Sequence, residues 1–177
     1  MQLQTRATKD LGGSALRQIR AFLVRSFDGD LGAEDWEHTL GGTHVLAYRS
    51  GVLLGHASVV TRTLWIGTRS YATGYVEGVA VAATRRRRGL GTALMGEVAR
   101  LIEDGYDLGA LASTDLALPF YGAAGWIPWR GPTSVVRPDG SAVRTPEDDG
   151  SVFVLPCGHV LDASAPISCD WRRGDVW

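Results

Sequence analysis

Two neighbouring stretches carry residue types that could do chemistry. The first places a carboxylate inside an apolar strand pattern, Tyr75-Val76-Glu77-Gly78-Val79-Ala80-Val81. On a two-residue period Tyr75, Glu77, Val79 and Val81 share one face, and Val76, Gly78 and Ala80 the other. A carboxylate buried there without a partner is expensive, and its pKa rises. Glu77 is therefore paired, or lines a cleft, or faces water at a strand end. Gly78 beside it would let a ligand come close to the backbone. The second stretch follows at once: Arg85-Arg86-Arg87-Arg88-Gly89-Leu90-Gly91, then a helical pattern. The first N–H groups of a helix have no partner within it, and its dipole is positive there. Glycines remove Cβ atoms that would hold a phosphate off, and arginines add forked donors. A pyrophosphate fits this cradle. The P-loop is excluded, because Thr92-Ala93 follows Gly91 where Lys-Ser/Thr is needed. The dinucleotide fingerprint is excluded too, because Leu94 stands where its third glycine should be. A solvated basic loop before a helix is the plain alternative.

Acids gather in two places, residues 28–37 and residues 147–149. An ordinary solvated face or a helix start accounts for such runs. A polycationic amine would need the same arrangement.

The elements that must place these groups are readable in outline. Residues 2–6 alternate as an edge strand. Gly12-Gly13-Ser14 reads as a turn and helix cap, and Leu16, Ile19, Leu23 and Phe27 follow at helical spacing, with Phe22 beside them. Residues 34–40 form a second short helix, stopped by Gly41-Gly42. Residues 43–48 and 52–60 are strands joined by Arg49-Ser50-Gly51, and residues 62–66 continue the meander. Antiparallel strands ahead of the glycine turn argue against a doubly wound sheet. A helix over residues 90–103 buries positions 90, 94, 98 and 101/102. Residues 108–111 form a short apolar strand suited to a parallel central place. Ser113-Thr114-Asp115 caps the next helix, with Pro119 in its first turn. Residues 126–136 read as one long strand interrupted by Pro128 and Gly131-Pro132. Residues 144–150 are a polar loop and residues 151–155 a final strand. The tail, rich in tryptophan, has apolar area worth burying.

The 177 residues fit one domain, residues 1–177, and 45% hydrophobic with 21% charged content is ordinary for a globular protein. A net charge of -1 gives no overall field that selects nucleic acid or a membrane. Cys157 and Cys169 are too few for a disulfide framework and read as thiols, with no metal site. The N-terminus has no apolar signal segment, so the cytoplasm is the expected compartment.

Arg86-Arg87-Arg88-Gly89-Leu90-Gly91 resembles the Arg/Gln-x-x-Gly-x-Gly/Ala signature of the GNAT superfamily of acetyl-CoA-dependent N-acetyltransferases. Phe120 to Trp126 resembles its Leu-Tyr-x-x-x-Gly-Phe/Trp segment. Longer stretches resemble one family within it, the aminoglycoside 2'-N-acetyltransferases. They are Gly29-Asp30, Asp35-Trp36-Glu37-His38-Thr39-Leu40-Gly41-Gly42, the strand around Glu77, Tyr106-Asp107-Leu108-Gly109-Ala110-Leu111, Gly131-Pro132-Thr133-Ser134-Val135, and Cys169-Asp170-Trp171-Arg172-Arg173-Gly174-Asp175-Val176-Trp177. The resemblance implies an α+β fold: a central, mostly antiparallel mixed sheet with a splayed parallel pair, flanked by helices. It implies acetyl-CoA contacts at Val79, Ala80, Val81, Arg86, Arg87, Arg88, Gly89, Leu90 and Gly91. It implies aminoglycoside contacts at Asp30, Asp35, Glu77, Gly78, Glu147, Asp148, Asp175 and Trp177, and a homodimer. Ala112 stands where the family tends to have serine, and Pro119 before the matched Tyr121 is a second departure.

On this reading Glu77 takes a proton from the acceptor ammonium through water, the Val79 N–H supports the oxyanion, and Tyr121 returns a proton to the sulfur. The alternatives are an acetyltransferase for another polyamine, aminosugar or protein N-terminus, and a binding module without turnover.

Overall fold

Helical spacing at Ile19, Phe22 and Leu23 produces α1 (Gly13–Ser26), which buries these three against Leu46, Leu53 and Ala80. Gly12 is the N-cap and Ser14 lies inside the helix, so the expected serine cap is not used; Phe27 falls at the C-cap and stays exposed. A computed structural model describes residues 1–113 and 118–177, and the side chains of these apart from 118 and 119. Most of the cap expected at Ser113-Thr114-Asp115 lies outside the described residues.

The chain divides into two compact units, residues 1–60 with 76–101 and residues 61–75 with 102–177. In the first, β1 (Gln2–Ala7) pairs antiparallel with β2 (Thr43–Arg49), and β2 with the first part of β3 (Val52–Ile66). The second short helix is α2 (Ala33–His38). β4 (Arg69–Val81) supplies residues 76–81 to this unit, and α3 (Leu90–Gly105) follows it. Leu90, Leu94, Met95, Val98 and Ile102 of α3 are buried, which is the stripe expected from its spacing.

In the second unit β5 (Leu108–Ala112) runs parallel to β4, with Thr73 opposite Leu108 and Tyr75 opposite Ala110. After α4 (Leu118–Ala123), β6 (Ile127–Pro128) pairs with β9 (Val152–Leu155), and β9 with β5, both antiparallel. β7 (Thr133–Val136) pairs antiparallel with β8 (Ala142–Arg144) and parallel with β10 (Ile167–Asp170), which lies antiparallel to the end of β3. The sheet is thus mixed and mostly antiparallel.

The single long strand expected over residues 126–136 is two strands with different partners. Prolines at 128 and 132 offer no ladder donor. Between them the backbone of Gly131 meets another segment so closely that an added Cβ would stand 1.9 Å from the Ala165 carbonyl oxygen. The expected polar loop at residues 144–150 contains the end of β8 and a 3-10 turn, Pro146–Asp148.

Gly42, ahead of β2, has the same tightness: a Cβ there would lie 1.9 Å from the Val59 carbonyl oxygen, a backbone atom that no rotamer change can move. Gly42→Ala should therefore destabilise the protein by about 3 kcal/mol, the upper range for forced overpacking. Urea unfolding with an unchanged m-value checks this.

Candidate active site

β4 leaves regular geometry at the expected carboxylate. Gly78 has φ of 57°, in the left-handed region, within the strand. Such a residue interrupts regular strand geometry, as in a bulge. Bulge carbonyls need partners, and β3 supplies them from side chains. Ser58 Oγ donates to the Glu77 carbonyl at 3.2 Å, and His56 Nδ1 to that of Gly78 at 2.7 Å. Ser58 and His56 are two residues apart and share a face of β3. In a regular strand consecutive carbonyls point to opposite sides; here both are held on one side. Across a planar trans peptide the next N–H points opposite to the carbonyl. The N–H groups of Gly78 and Val79 therefore both point away from His56 and Ser58. Two adjacent donors aimed alike form a concave site for negative charge. Glu77 and Val79 are half-buried around it, and Ala80 is buried against α1. Thr39, the C-cap of α2, brings its methyl group to 3.0 Å from where a Gly78 Cβ would be, so the helix bearing Asp35 ends beside the bulge.

The arginine–glycine turn leads into the N-terminus of a helix. A 3-10 turn, Ala83–Arg85, follows β4, and Arg87 and Gly89 take φ of 58° and 78° before α3 begins at Leu90. Turns with left-handed residues can direct successive N–H groups into one concavity, and a helix N-terminus favours negative charge. Arg87, Arg88 and Gly89 are exposed. Arg86 is different: its guanidinium turns back to the carbonyls of Val81 (3.3 Å) and Ser26 (3.5 Å), tying β4 to the end of α1. Beside it is a pocket of about 350 Å³ reaching Phe22, Arg25 and Leu54. A second pocket, about 200 Å³, is lined by Arg85, Arg88 and Arg49. Arg49 escaped the sequence reading because it sits at the tip of a hairpin far away in the chain.

The acids divide by role. Asp30 is exposed after a turn with left-handed Asp28 and Gly29. Asp35 Oδ2 accepts from the Gly32 N–H at 2.7 Å, so this carboxylate also caps α2. In the second unit Asp149 is committed to the fold. It accepts from Arg144 at 2.8 Å and from the N–H and hydroxyl of Thr133, and these hold its carboxyl well below the usual carboxylate range. Asp148 behaves oppositely. Burial first, then the charge of Asp175 and those of Glu147 and Asp149, push its pKa up to about 6 against a hydrogen bond from Thr145. Glu147, Asp148 and Asp175 are therefore brought together.

The tail closes on this group. Trp177 is buried, its indole donates to Thr145 Oγ1 at 2.9 Å, and its N–H reaches Asp175 Oδ1 at 3.2 Å. Its main-chain oxygen accepts from Arg172 at 2.8 Å. The anchor is Arg62 of β3. This buried guanidinium donates to Asp170 Oδ1 (2.9 Å), to the Asp170 carbonyl and to the Val176 carbonyl (2.8 Å), and lies over the Tyr75 ring. The sequence reading missed Arg62; its signal was one arginine in the apolar run from Val59 to Ile66.

Tyr121 lies on α4, buried, with its ring 5.8 Å from that of Phe153. Burial pushes its phenol up to about 12, so it stays protonated at neutral pH. Ala112 ends β5, exposed, opposite Val152. Among the described residues no cluster of His, Cys, Asp or Glu could hold a metal ion, and no helix is long and apolar enough to cross a membrane.

Comparison with known proteins gives one family. The model of the acetyltransferase (GNAT) domain matches residues 8–128. The aminoglycoside 2'-N-acetyltransferase of Mycolicibacterium fortuitum is 45% identical over 174 residues, covering 96% of this chain and 89% of that protein. Among solved structures, Escherichia coli ElaA superposes with a TM-score of 0.62 at 16% identity, over 88% of this chain and 99% of that one. A GCN5-related N-acetyltransferase from Kribbella flavida gives 0.59 at 25% identity, over 74% of this chain and 34% of that one.

The raised pKa of Asp148 has a stability consequence. A carboxyl with a folded-state pKa above its unfolded value favours folding while protonated, and this contribution is lost as pH rises through the folded pKa, about 6. Asp148→Asn should thus be more stable than wild type above that value, with the difference shrinking as pH falls toward the ordinary aspartate range. Thermal unfolding across pH checks it; a gap that widens in acid would contradict it.

Proposed function

The chain belongs to the GNAT acetyltransferases and, within them, to the aminoglycoside 2'-N-acetyltransferase family, and on that footing we propose that it moves an acetyl group from acetyl-CoA to the 2'-amine of an aminoglycoside. Such a reaction inactivates the antibiotic and would confer resistance. One observation carries the substrate assignment. The GNAT match ends at residue 128, whereas the likeness to the Mycolicibacterium enzyme covers 96% of the chain and so takes in Glu147 and Asp148, beside which the structure brings Asp175. That acidic group is what a polycationic sugar requires.

The described residues fit acetyl-CoA as cosubstrate. The left-handed turn at Arg87 and Gly89, with the N-terminus of α3, suits its pyrophosphate. We assign cosubstrate contacts to Val79, Ala80, Val81 and residues 86–91, with the Arg86 side chain acting through the backbone it holds. Acceptor contacts fall to Asp30, Asp35, Glu77, Gly78, Ala112, Glu147, Asp148, Asp175 and Trp177.

The acceptor amine arrives as an ammonium, which cannot attack a thioester. Glu77 removes a proton through water. The amine then attacks the acetyl carbonyl directly. Val79 N–H, joined by that of Gly78, meets the growing negative charge on oxygen. Tyr121 gives its proton to the sulfur as the C–S bond breaks, and the second proton that the nitrogen sheds on becoming an amide restores the phenol. Alignment of the two substrates supplies much of the remaining acceleration, with no covalent enzyme intermediate. We assign this work to one catalytic domain over residues 1–177, acting in the cytoplasm as a homodimer.

Thiol release from acetyl-CoA tests the proposal. Turnover is expected with an aminoglycoside bearing a 2'-amine and not with its 2'-hydroxyl counterpart; equal rates would reject the regiochemistry. Glu77→Gln should lower turnover about 100-fold near neutral pH, within the range for a general base. The loss should shrink at high pH, where the amine is already free, and a loss independent of pH would remove Glu77 from that role. Tyr121→Phe should slow turnover and alter its pH profile; an unchanged rate and profile would exclude the phenol as the acid.

A further inference from the structure

Behind the bulge lies a feature that the mechanism above does not use: a line of polar side chains running from half-buried Thr8 through two buried histidines of the first unit. Thr8 Oγ1 is 2.9 Å from His44 Nε2, His44 Nδ1 is 2.9 Å from His56 Nε2, and His56 Nδ1 is 2.7 Å from the Gly78 carbonyl. Both imidazoles are fully buried. Two histidines in the interior of a sheet are an expensive choice unless every nitrogen is used.

We propose that His56, oriented by His44 and flanked by Ser58, is the positioning residue of the acetyl-transfer site: it fixes the Gly78–Val79 peptide so that the Val79 N–H faces the acetyl oxygen and the Glu77 carboxylate is held beside it. This inference rests on the function proposed above. The direction of every hydrogen bond follows from chemistry. The Gly78 carbonyl only accepts, so the proton of His56 is on Nδ1. A neutral ring then has Nε2 as an acceptor, and His44 must donate to it from its own Nδ1. His44 Nε2 in turn accepts from the Thr8 hydroxyl. The Gly42 carbonyl, which that hydroxyl also approaches at 3.1 Å, is served by the Thr8 N–H at 2.9 Å. With both rings neutral, one arrangement of protons satisfies the whole line. Burial keeps them neutral, lowering the pKa of His44 to about 4 and of His56 to about 3.

The line ends on the atom that decides the orientation of the catalytic peptide. Gly78 has no side chain to restrict it, and its left-handed φ is compatible with several peptide orientations. The His56 ring removes that freedom in two ways. Its nitrogen holds the carbonyl, and its carbon edge stands 3.3 Å from where a Cβ on residue 78 would be, filling the space glycine leaves. Ser58 holds the preceding carbonyl, that of Glu77, so two consecutive peptides are fixed from one strand. Without the imidazole donor, the Gly78 carbonyl would lack its partner and would be drawn to rotate toward another, taking the Val79 N–H with it.

The test compares His56→Leu, which removes the donor, with His56→Asn, whose amide nitrogen can stand where Nδ1 stands. Wild-type turnover of acetyl-CoA with a 2'-amino aminoglycoside is measured first, because its absence would overturn the proposed function itself. In His56→Leu, kcat should fall about 30-fold, a little under the usual effect of losing an oxyanion donor. Its KM for acetyl-CoA should stay within about twofold of wild type, since the pyrophosphate cradle is untouched. His56→Asn should recover at least about tenfold of the lost kcat at a similar Tm. A folded His56→Leu with wild-type kcat overturns the proposal. So does a His56→Asn as slow as His56→Leu at equal stability, because the loss would then be one of packing. If neither variant folds, ¹⁵N NMR of the wild type decides: both rings should be Nδ1–H tautomers that do not titrate between about pH 5 and 8. A His56 carrying its proton on Nε2, or titrating in that interval, overturns it.

Discussion

The constraint on which the site depends is one backbone torsion, the left-handed φ at Gly78 in the middle of β4. Everything chemically useful at this position follows from interrupting the ladder without breaking the strand. The bulge makes two successive carbonyls turn toward β3, and peptide planarity turns the following two N–H groups the other way. Glycine is required for the torsion, and β3 must supply polar side chains for carbonyls that no longer have ladder partners. Ser58 and His56 meet that requirement. A strand that reads as apolar on its neighbours' account thus needs a histidine and a serine one strand away, and the histidine needs a second histidine behind it.

A different solution organises the second unit. Arg62 is a buried cation whose donors are met by one carboxylate and two main-chain carbonyls of the tail, with a tyrosine ring beneath it. Removing a buried charge's partners is far more damaging than never having built the pair, so such an arrangement holds its segment in one place. The beneficiary is Asp175. It stands near Asp148 because the chain on either side of it is pinned, by Arg62 at Asp170 and Val176 and by the Trp177 indole at Thr145. Two like charges are thereby kept close, at the expense of a raised pKa for Asp148. Asp149, their neighbour in sequence, is neutralised by Arg144 and serves the fold.

Local pattern made much of this legible. The helical stripes of α1 and α3, the hairpin of β2 and β3, the strand at β5 and the arginine–glycine turn all follow from spacing that a single segment carries. So does the identity of the carboxylate at 77, since an acid in an apolar strand is visible without coordinates. What could not be read depends on contacts between distant segments. Residues 126–136 look like one strand until Gly131 is seen against Ala165. Three adjacent acids look alike until Arg144 chooses Asp149. His44 and His56 read as unremarkable strand residues, because nothing local says that their rings meet end to end.

The place of β10 bears on how the second unit is assembled. This strand follows all the others in the chain, yet in the sheet it lies between β3 and β7. The β7–β8 hairpin can form early, but its bond to the rest of the sheet waits for a segment some 30 residues further on, which must insert as a wedge. Non-local pairing of this kind raises contact order and slows folding. Until the wedge is in, the hydrogen-bonding edges of β3 and β7 are both open, and open edges invite pairing with other chains. The arginine of β3 grips that strand and the tail beyond it, so these contacts exist only once the last strand has arrived.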